Sequence, residues 1–344
     1  MRAISKNMSF NNQRLQIPFL LAPVGKDYLW GGNRLNTEFG KNIEMSPLAE
    51  TWECSTHPDG VSIVASGEFR GTPLDQLIEN NPGILGTRHI KSKRLPILVK
   101  FIDAKQNLSV QVHPSDKYAA ERENGQLGKS EMWYIVNADK QAGIVFGFNR
   151  DMDEQTIKQS IDNGNIEKYL HHIPVKQNEV YFIDAGTVHA IGAGCLIAEI
   201  QENSNLTYRL YDYNRTDKNG KKRELHTDKA LDVLKYCSST NLRQPMRVLY
   251  YKKGYASELL CRCKYFEVSR MLVNTEVLRS TINFQSDSLS FRVLMCLDGC
   301  GSIRFDQDGT IEWIDYYKGD TIFVPANSVV CKIHGKSQFL DIRC

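Results

Sequence analysis

The sequence predicts a mainly β protein with two related β-sandwich domains, and three observations support this prediction. Short apolar runs, separated by Gly, Asn and Asp turns, dominate the chain, which is typical of sandwiches and barrels. One strand–turn–strand unit occurs twice, as expected when a β-rich chain repeats a fold. Helical periodicity is limited to short stretches, which therefore predict additions to a β framework.

The individual elements follow from local pattern. Strand-like runs occupy residues 60–66, 96–104, 131–138, 142–148, 179–185 and 194–201. Apolar residues at helical spacing predict helices within 72–85, 153–170 and 227–237. The last of these has Thr227 as its candidate N-cap, and Ser115 begins a further short helix predicted within 115–124.

The repeated unit is "QNEVYFIDAGTVHAI" at 177–191 and "KGDTIFVPANSVVCK" at 318–332. In this gapless alignment His189 falls opposite Val330. A second alignment, of "SEMWYIVNAD" with "SFRVLMCLDG", places Glu131 opposite Phe291. We therefore expect that only the first domain keeps polar groups at these positions.

Composition narrows the class of protein. Lys and Arg total 43 against 40 Asp and Glu, without the basic stripe that nucleic-acid binders carry. The N-terminus has no signal-peptide core, and no apolar run is long enough to span a bilayer. Nine scattered cysteines are typical of a reducing compartment rather than of a disulfide framework. The sequence predicts a cytoplasmic protein without nucleic-acid or membrane partners, and it leaves the oligomeric state open.

One predicted strand has a polar second face. In "NLSVQVHP", residues 107–114, apolar side chains alternate with Ser109, Gln111 and His113. Alternation predicts that these three side chains leave the same face of the strand. A sandwich rarely buries such a face without a purpose, because unpaired polar groups are costly to desolvate.

Two further residues complete a candidate metal site. Glu131 begins the next strand, and His189 follows the tight turn at 185–187. A core histidine or a surface glutamate would be the ordinary interpretation of each residue alone. With Gln111 and His113 they offer two imidazoles, a carboxylate and an amide oxygen, a donor set for zinc or another first-row metal with open positions.

At this point the residues resemble a known family. "LPILVKFIDAKQNLSVQVHPSD", "GKSEMWYIV", "AGTVHAIG" and "ENSNLTYRLYDYNR" are similar to successive motifs of the type I mannose-6-phosphate isomerases in their shorter bacterial form. The resemblance runs from about residue 17 to 240, with the motifs in the family's order, and continues weakly to the C-terminus.

The resemblance implies a fold and an activity. The fold would be a cupin-type double-stranded β-barrel (jelly roll) catalytic domain, residues 1–242, with N-terminal strands and helical additions. A degenerate cupin-like β-domain would follow at 243–344. The implied activity is the zinc-dependent interconversion of D-mannose 6-phosphate and D-fructose 6-phosphate through an enediol, with one Zn²⁺ per chain and a sugar phosphate as the small-molecule partner.

The resemblance also assigns site residues by position. The family's metal ligands fall on the four residues selected above, Gln111, His113, Glu131 and His189. Its active-site arginine falls on Arg209, and its lysines near the substrate fall on Lys100 and Lys129. These three cations are the expected catalytic residues, and together with Ser109 they are expected to bind the substrate.

Several points stay open at the level of sequence. The proton carrier could be a metal-bound water, Lys129 or a nearby carboxylate. Longer family members have Asp where this chain has Asn205, so no acid–base role is assigned there. Arg209 could instead form an ion pair with Asp212 or Asp217, and Lys100 requires either a working role or a buried partner.

The functional class also has alternatives. Cupins with two histidines and one carboxylate include iron oxygenases and non-catalytic sugar-binding proteins. The discriminating feature is the set of cations near the site, which an oxygenase acting on an apolar substrate would not require.

Overall fold

The computed structural model describes residues 15–92, 94–216, 219–239, 244, 246–277, 280–307 and 309–344. The N-terminal residues on which the targeting prediction depends, Asp217, and the predicted domain boundary after residue 242 lie outside these ranges.

Within the described ranges the chain is mainly β, as predicted. The strands are β1 (Phe19–Ala22), β2 (Val24–Lys26), β3 (Glu50–Cys54), β4 (Thr56–His57), β5 (Gly60–Val61), β6 (Ile63–Val64), β7 (Ile97–Ala104), β8 (Val110–Val112), β9 (Glu131–Ala138), β10 (Gly143–Phe148), β11 (Leu170–Pro174), β12 (Val180–Ile183), β13 (His189–Ile191), β14 (Cys195–Glu202), β15 (Tyr208–Tyr211), β16 (Tyr250–Lys252), β17 (Tyr255–Arg262), β18 (Glu267–Asn274), β19 (Ile282–Phe284), β20 (Arg292–Gln307), β21 (Thr310–Tyr317), β22 (Thr321–Val324) and β23 (Cys331–Arg343).

The helices are short. They are α1 (Arg34–Thr37), α2 (Leu74–Asn80), α3 (Asp116–Arg122), α4 (Glu154–Asp162) and α5 (Thr227–Val233), with 3-10 turns at Pro82–Leu85 and Ile166–Tyr169. The Ser115 side chain caps α3 by accepting from Tyr118 N–H, as predicted. The predicted N-cap of α5 is wrong by one residue: His226 occupies that position, Thr227 is the first helical residue, and no side chain caps the helix.

The first sandwich consists of two antiparallel sheets. A six-stranded sheet has the order β12-β9-β14-β7-β3-β2, and a five-stranded sheet has the order β11-β10-β13-β8-β15. The two sheets share a buried apolar cluster that joins Trp133 and Ile197 of the larger sheet to Ile144 and Ile191 of the smaller one. The candidate site lies between these sheets, on strands β7, β8, β9, β13, β14 and β15.

The C-terminal strands repeat this arrangement. Strands β22-β20-β23-β18-β17-β16 lie in the same order as β12-β9-β14-β7-β3-β2. β19 pairs with the beginning of β23, which corresponds to the pairing of β8 with β13. β21 pairs with the far end of β20, which corresponds to the pairing of β11 with β10. The described strands β16–β23 therefore form a second unit with the strand order of the first, which we call the second sandwich. The N-terminal strands β1 and β6 extend the second unit's sheet beyond β22.

Strand pairing corrects one detail of the predicted alignment. Ile183 of β12 pairs with Glu131, and Val324, its counterpart in the repeat, pairs with Arg292. The residue that corresponds to Glu131 is therefore Arg292 and not Phe291. A slip of one residue moves a side chain to the opposite face of a strand. Phe291 accordingly lies in the apolar cluster between the two units.

Candidate active site

Three ligand groups meet between the sheets of the first sandwich. Glu131 and His189 are the first residues of β9 and β13, and His113 directly follows β8. One nitrogen or oxygen atom from each lies within 4.8 Å of the other two, and all three residues are buried. The Nε2 atoms of the two histidines are 3.1 Å apart, and each lies 3.4 Å from a carboxylate oxygen of Glu131.

Backbone carbonyl groups orient both imidazole rings. His113 Nδ1 lies 2.7 Å from Leu206 O, and His189 Nδ1 lies 2.8 Å from Thr187 O. A carbonyl can only accept, so each Nδ1 carries the proton and each Nε2 turns its lone pair toward the centre of the cluster. Metal-binding histidines usually make such a hydrogen bond through the ring nitrogen that does not bind the metal.

The cluster has the electrostatics of a cation site. Burial lowers the pKa of His113 to about 3 and also lowers the pKa of His189, so both rings are neutral, the form that binds metal. Among the described residues, neither carboxylate oxygen of Glu131 has a hydrogen-bond partner. Burial opposes ionisation of Glu131, but Lys129 and the two histidines lower its pKa well below its usual range. Two inward lone pairs and a carboxylate that accepts no hydrogen bond therefore fit a divalent metal ion.

Gln111 lies at the edge of the same cluster. It pairs with His189 across the β8–β13 ladder, and its Nε2 atom is 3.4 Å from His189 Nε2. Rotating the amide by half a turn would present its oxygen to the cluster instead. All four predicted ligands are thus brought together.

Lys129 is also in the cluster. Its buried ammonium lies 3.1 Å from Glu131 Oε2 and 3.3 Å from His113 Nε2. The lysine places positive charge directly beside the Glu131 carboxylate.

Lys100 has buried partners that the sequence analysis did not identify. Its ammonium lies 3.2 Å from Glu199 and 3.6 Å from Glu50. Burial lowers the pKa of Lys100, but the two carboxylates outweigh this effect and raise it. A tryptophan indole N–H donates to each glutamate: Trp133 to Glu199 at 2.9 Å and Trp52 to Glu50 at 2.8 Å. Lys100 therefore joins two rigidly held carboxylates in one wall of the site.

Arg209 does not form the ion pair with Asp212 that its neighbours in sequence suggested. Arg215 and Arg223 occupy that carboxylate, both at 2.5 Å. The guanidinium of Arg209 instead donates to Ser109 Oγ at 3.3 Å and to the carbonyl of Glu224 at 2.8 Å. Among the described residues, no carboxylate forms a salt bridge with Arg209.

A cavity of about 260 Å³ lies beside Gln111, Lys129, Lys100 and Arg209. Its lining comprises Tyr28, Trp30, Glu50, Lys100, Ile102, Leu108, Ser109, Gln111, Lys129, Ile191, Glu199, Asn205, Thr207, Arg209 and Arg223. Burial and the nearby Arg223 lower the pKa of Arg209, so that an anion at this end of the cavity would offset unbalanced positive charge. Asn205 donates to Asp59 at 2.7 Å rather than to the ligand cluster.

Fold and cluster place the chain among the cupins, in the class whose barrel carries a histidine–carboxylate ligand set. Residues 19–143 match the family described as phosphomannose isomerase type I, catalytic domain. The mannose-6-phosphate isomerase of Streptococcus mutans is 36% identical over 308 residues, which cover 90% of this chain and 92% of that protein. The chain therefore belongs to the type I mannose-6-phosphate isomerase family.

Two Bacillus subtilis proteins agree with this assignment. Mannose-6-phosphate isomerase ManA is 39% identical over 256 residues, or 74% of this chain and 78% of that protein. The crystal structure of the mannose 6-phosphate isomerase from Bacillus subtilis superposes with a TM-score of 0.85 at 32% identity, covering 95% of this chain and 99% of that chain. In the described part of the chain, none of the helices has the length and apolar character needed to cross a membrane.

Proposed function

We propose that this chain interconverts D-mannose 6-phosphate and D-fructose 6-phosphate, with one zinc ion bound by Gln111, His113, Glu131 and His189. The observation that carries the proposal is the facing pair of imidazole Nε2 atoms, 3.1 Å apart beside the Glu131 carboxylate. Gln111 and Lys129, which neighbour this group, line a cavity that also contains Arg209. The family relatives named above carry the same activity in their names.

The donor set supports zinc. Two imidazoles, a carboxylate and an amide oxygen provide nitrogen and oxygen ligands without a thiolate, which suits zinc with coordination positions left open for substrate. When bound, zinc stabilises negative charge that develops on the substrate oxygens during enolisation.

Arg209 is proposed to act on the reacting end of the sugar. It pairs with Gln111 across the β15–β8 ladder, which places it beside a proposed metal ligand. Its hydrogen bond to Ser109 Oγ brings a hydroxyl to the same part of the cavity. A guanidinium is planar, always charged and able to form paired hydrogen bonds, so it can stabilise an enediolate or bind a phosphate.

The proton must be carried between C1 and C2 by a group in the cavity wall. The side chains there that can carry it are Lys129, Glu50 and Glu199. Burial and the nearby Glu131 raise the pKa of Glu199, which makes this carboxylate a better proton acceptor than an ordinary glutamate. Lys100 holds Glu50 and Glu199 together and presents its ammonium to the substrate hydroxyls.

The cellular setting is proposed from chemistry. All nine cysteines are free, which is typical of the reducing cytoplasm. The partner is a small sugar phosphate, and nothing in the charge distribution indicates a nucleic acid. An iron oxygenase or a sugar-binding protein without activity is disfavoured by Arg209 and Arg223, which make this cavity suitable for an anionic substrate.

The test combines metal analysis with a coupled isomerase assay on the purified chain. We expect about one zinc ion per chain, loss of turnover after dialysis against a strong chelator, and recovery when zinc is added. Full turnover in a preparation shown by elemental analysis to be metal-free would contradict the zinc assignment. A zinc-loaded protein without isomerase activity would contradict the proposed reaction.

A further inference from the structure

The second sandwich reaches the first through the tip of its β17–β18 hairpin, residues 263–266. Phe266 at this tip is 2% exposed and belongs to the apolar cluster that also contains Ile97 and Met132 of the first sandwich. Cys263 N–H donates to Phe266 O at 3.0 Å and closes the turn. The hairpin tip therefore packs into an apolar cluster to which both sandwiches contribute.

Two side chains of this tip meet one carboxylate of the first sandwich. Tyr265 Oη donates to Asp116 Oδ2 at 2.9 Å, and Lys264 Nζ lies 3.0 Å from the same oxygen. The other oxygen of Asp116, Oδ1, accepts from Gly128 N–H at 3.2 Å. Asp116 thus connects the hairpin tip to the segment 127–130 of the first sandwich.

That segment positions Lys129. Lys129 N–H donates to Pro114 O at 3.0 Å, next to the ligand His113, and Ser130 N–H donates to Glu202 Oε1 at 2.8 Å. A Cβ atom added to Gly128 would lie 2.4 Å from Asp116 N, so the segment is in close contact with the beginning of α3. A change at Asp116 is therefore transmitted to the backbone that carries the Lys129 ammonium.

We propose that Tyr265 is a positioning residue for the isomerase reaction. Its hydroxyl fixes Asp116, and Asp116 fixes the segment that sets the Lys129 ammonium beside Glu131 and His113. This inference rests on the proposed function, because it takes Lys129 to act in the substrate site. The described residues of the second sandwich contain no His–Glu–His cluster. The positioning role nevertheless gives this sandwich a part in the reaction of the first.

Tyr265, rather than Lys264, carries the positioning. The Lys264 side chain is 75% exposed, and an exposed ion pair on a long flexible chain restrains its partner weakly. Tyr265 is partly buried against the same apolar cluster that contains Phe266, Ile97 and Met132, so its hydroxyl is held by a rigid ring.

The experiment compares Tyr265→Phe with a matched control, Tyr316→Phe, in the zinc-loaded full chain. Each variant loses one tyrosine hydroxyl from the second sandwich; that of Tyr316 bonds Ser337 Oγ at 3.0 Å, within the second sandwich. We expect Tyr265→Phe to lower kcat about three- to tenfold, with KM and bound zinc unchanged, because one hydrogen bond that aligns the transition state is lost. Tyr316→Phe should lower Tm without lowering kcat.

Asp116→Asn provides an independent variant. The amide keeps an oxygen for Gly128 N–H but removes the charge that attracts Tyr265 and Lys264, so kcat should fall again with zinc retained. Equal kcat values for Tyr265→Phe and the wild type, or equal losses in Tyr265→Phe and Tyr316→Phe, would overturn the positioning role.

The variant Lys129→Ala distinguishes failure of the Tyr265 positioning role from failure of the proposed function. Inactive, zinc-loaded Lys129→Ala beside a fully active Tyr265→Phe would contradict only the positioning role. Wild-type kcat in zinc-loaded Lys129→Ala would contradict the catalytic use of Lys129 itself, and the positioning role with it.

Discussion

The two sandwiches share a strand order, yet they carry opposite charges at the same strand position. In the first, a carboxylate at the start of β9, Glu131, faces two imidazoles. In the second, the corresponding residue at the start of β20 is Arg292, and its guanidinium binds Asp341 through Nε at 2.8 Å and through Nη2. Asp341 is itself the counterpart of Glu199 in strand pairing.

The other ligand positions differ as well. The hydrogen bond from Gly186 N–H to His113 O in the first sandwich is repeated in the second from Asn327 N–H to Asp287 O. His113 is thus replaced by an aspartate, and His189 by Val330, which is 49% exposed. A buried carboxylate requires a neighbouring cation. The second sandwich supplies Arg292 to Asp341, and the first supplies Lys129 to Glu131. The difference is that Glu131 also faces two imidazoles, whereas the described residues of the second sandwich contain no such cluster.

The sheets differ at one edge in a way that matters for substrate. β15, which carries Arg209, extends the smaller sheet of the first sandwich beyond β8. In the described part of the second sandwich, β19 pairs only with β23. Among its described residues, the second unit therefore has neither a His–Glu–His cluster nor a strand equivalent to the one that carries Arg209. We infer that its role is to support the first.

The largest expected effect comes from removing a ligand found only in the first sandwich. His189→Ala should lose bound metal and lower kcat by about a thousandfold or more, because a missing ligand affects both metal retention and Lewis acidity. Elemental analysis and the coupled assay on the same preparation measure both. Stoichiometric zinc in the His189→Ala protein would mean that the cluster is not the metal site.

Removing the arginine of the second sandwich should affect stability instead. Arg292→Leu leaves Asp341 buried without its partner, which should lower the free energy of unfolding by about 2–4 kcal/mol. Denaturant titration measures the loss, and kcat of the folded protein should equal that of the wild type. The double variant Arg292→Leu, Asp341→Leu is the control, and it should recover part of the stability because no unpaired charge remains.

Arg209→Ala tests the strand that the second sandwich lacks. Loss of one charge-assisted hydrogen bond made in the transition state should lower kcat about ten- to two-hundredfold, with KM little changed. Arg209→Lys should recover only part of the rate, because lysine restores the charge but not the paired geometry. A role limited to phosphate binding predicts a different pattern, a raised KM that vanishes with unphosphorylated mannose.

Much of the site could be predicted because its signals are local. The alternation of Ser109, Gln111 and His113 on one strand indicated a polar inner face, and the repeat showed that His189 had no equivalent. Glu50 and Glu199 were not found, since both lie in strands buried on both faces, where apolar alternation gives no signal. The charged residue inside "CLIAEIQE" was an available clue, of the same kind that drew attention to Lys100.

Contacts between distant segments could not be predicted in the same way. Lys100 meets Glu199 only because β7 and β14 pair in one register, and a sequence without an alignment does not reveal that register. The same reason explains the error at Phe291: the apolar pattern of β20 fits either offset, and only pairing with β22 distinguishes them.

The smallest expected effect is at Val330, the counterpart of His189. If this position were a buried core residue, Val330→Ala would cost about 1–3 kcal/mol through lost apolar contacts. The structure places its side chain half in solvent, with 49% of the residue exposed, so the loss in unfolding free energy should be within about 0.5 kcal/mol. Zinc content and kcat should match the wild type, because the second sandwich offers Arg292 and not a ligand carboxylate beneath this position. Loss of zinc from Val330→Ala would reverse the assignment of the two sandwiches, since it would place a metal ligand in the unit where Arg292 and Asp341 pair with each other.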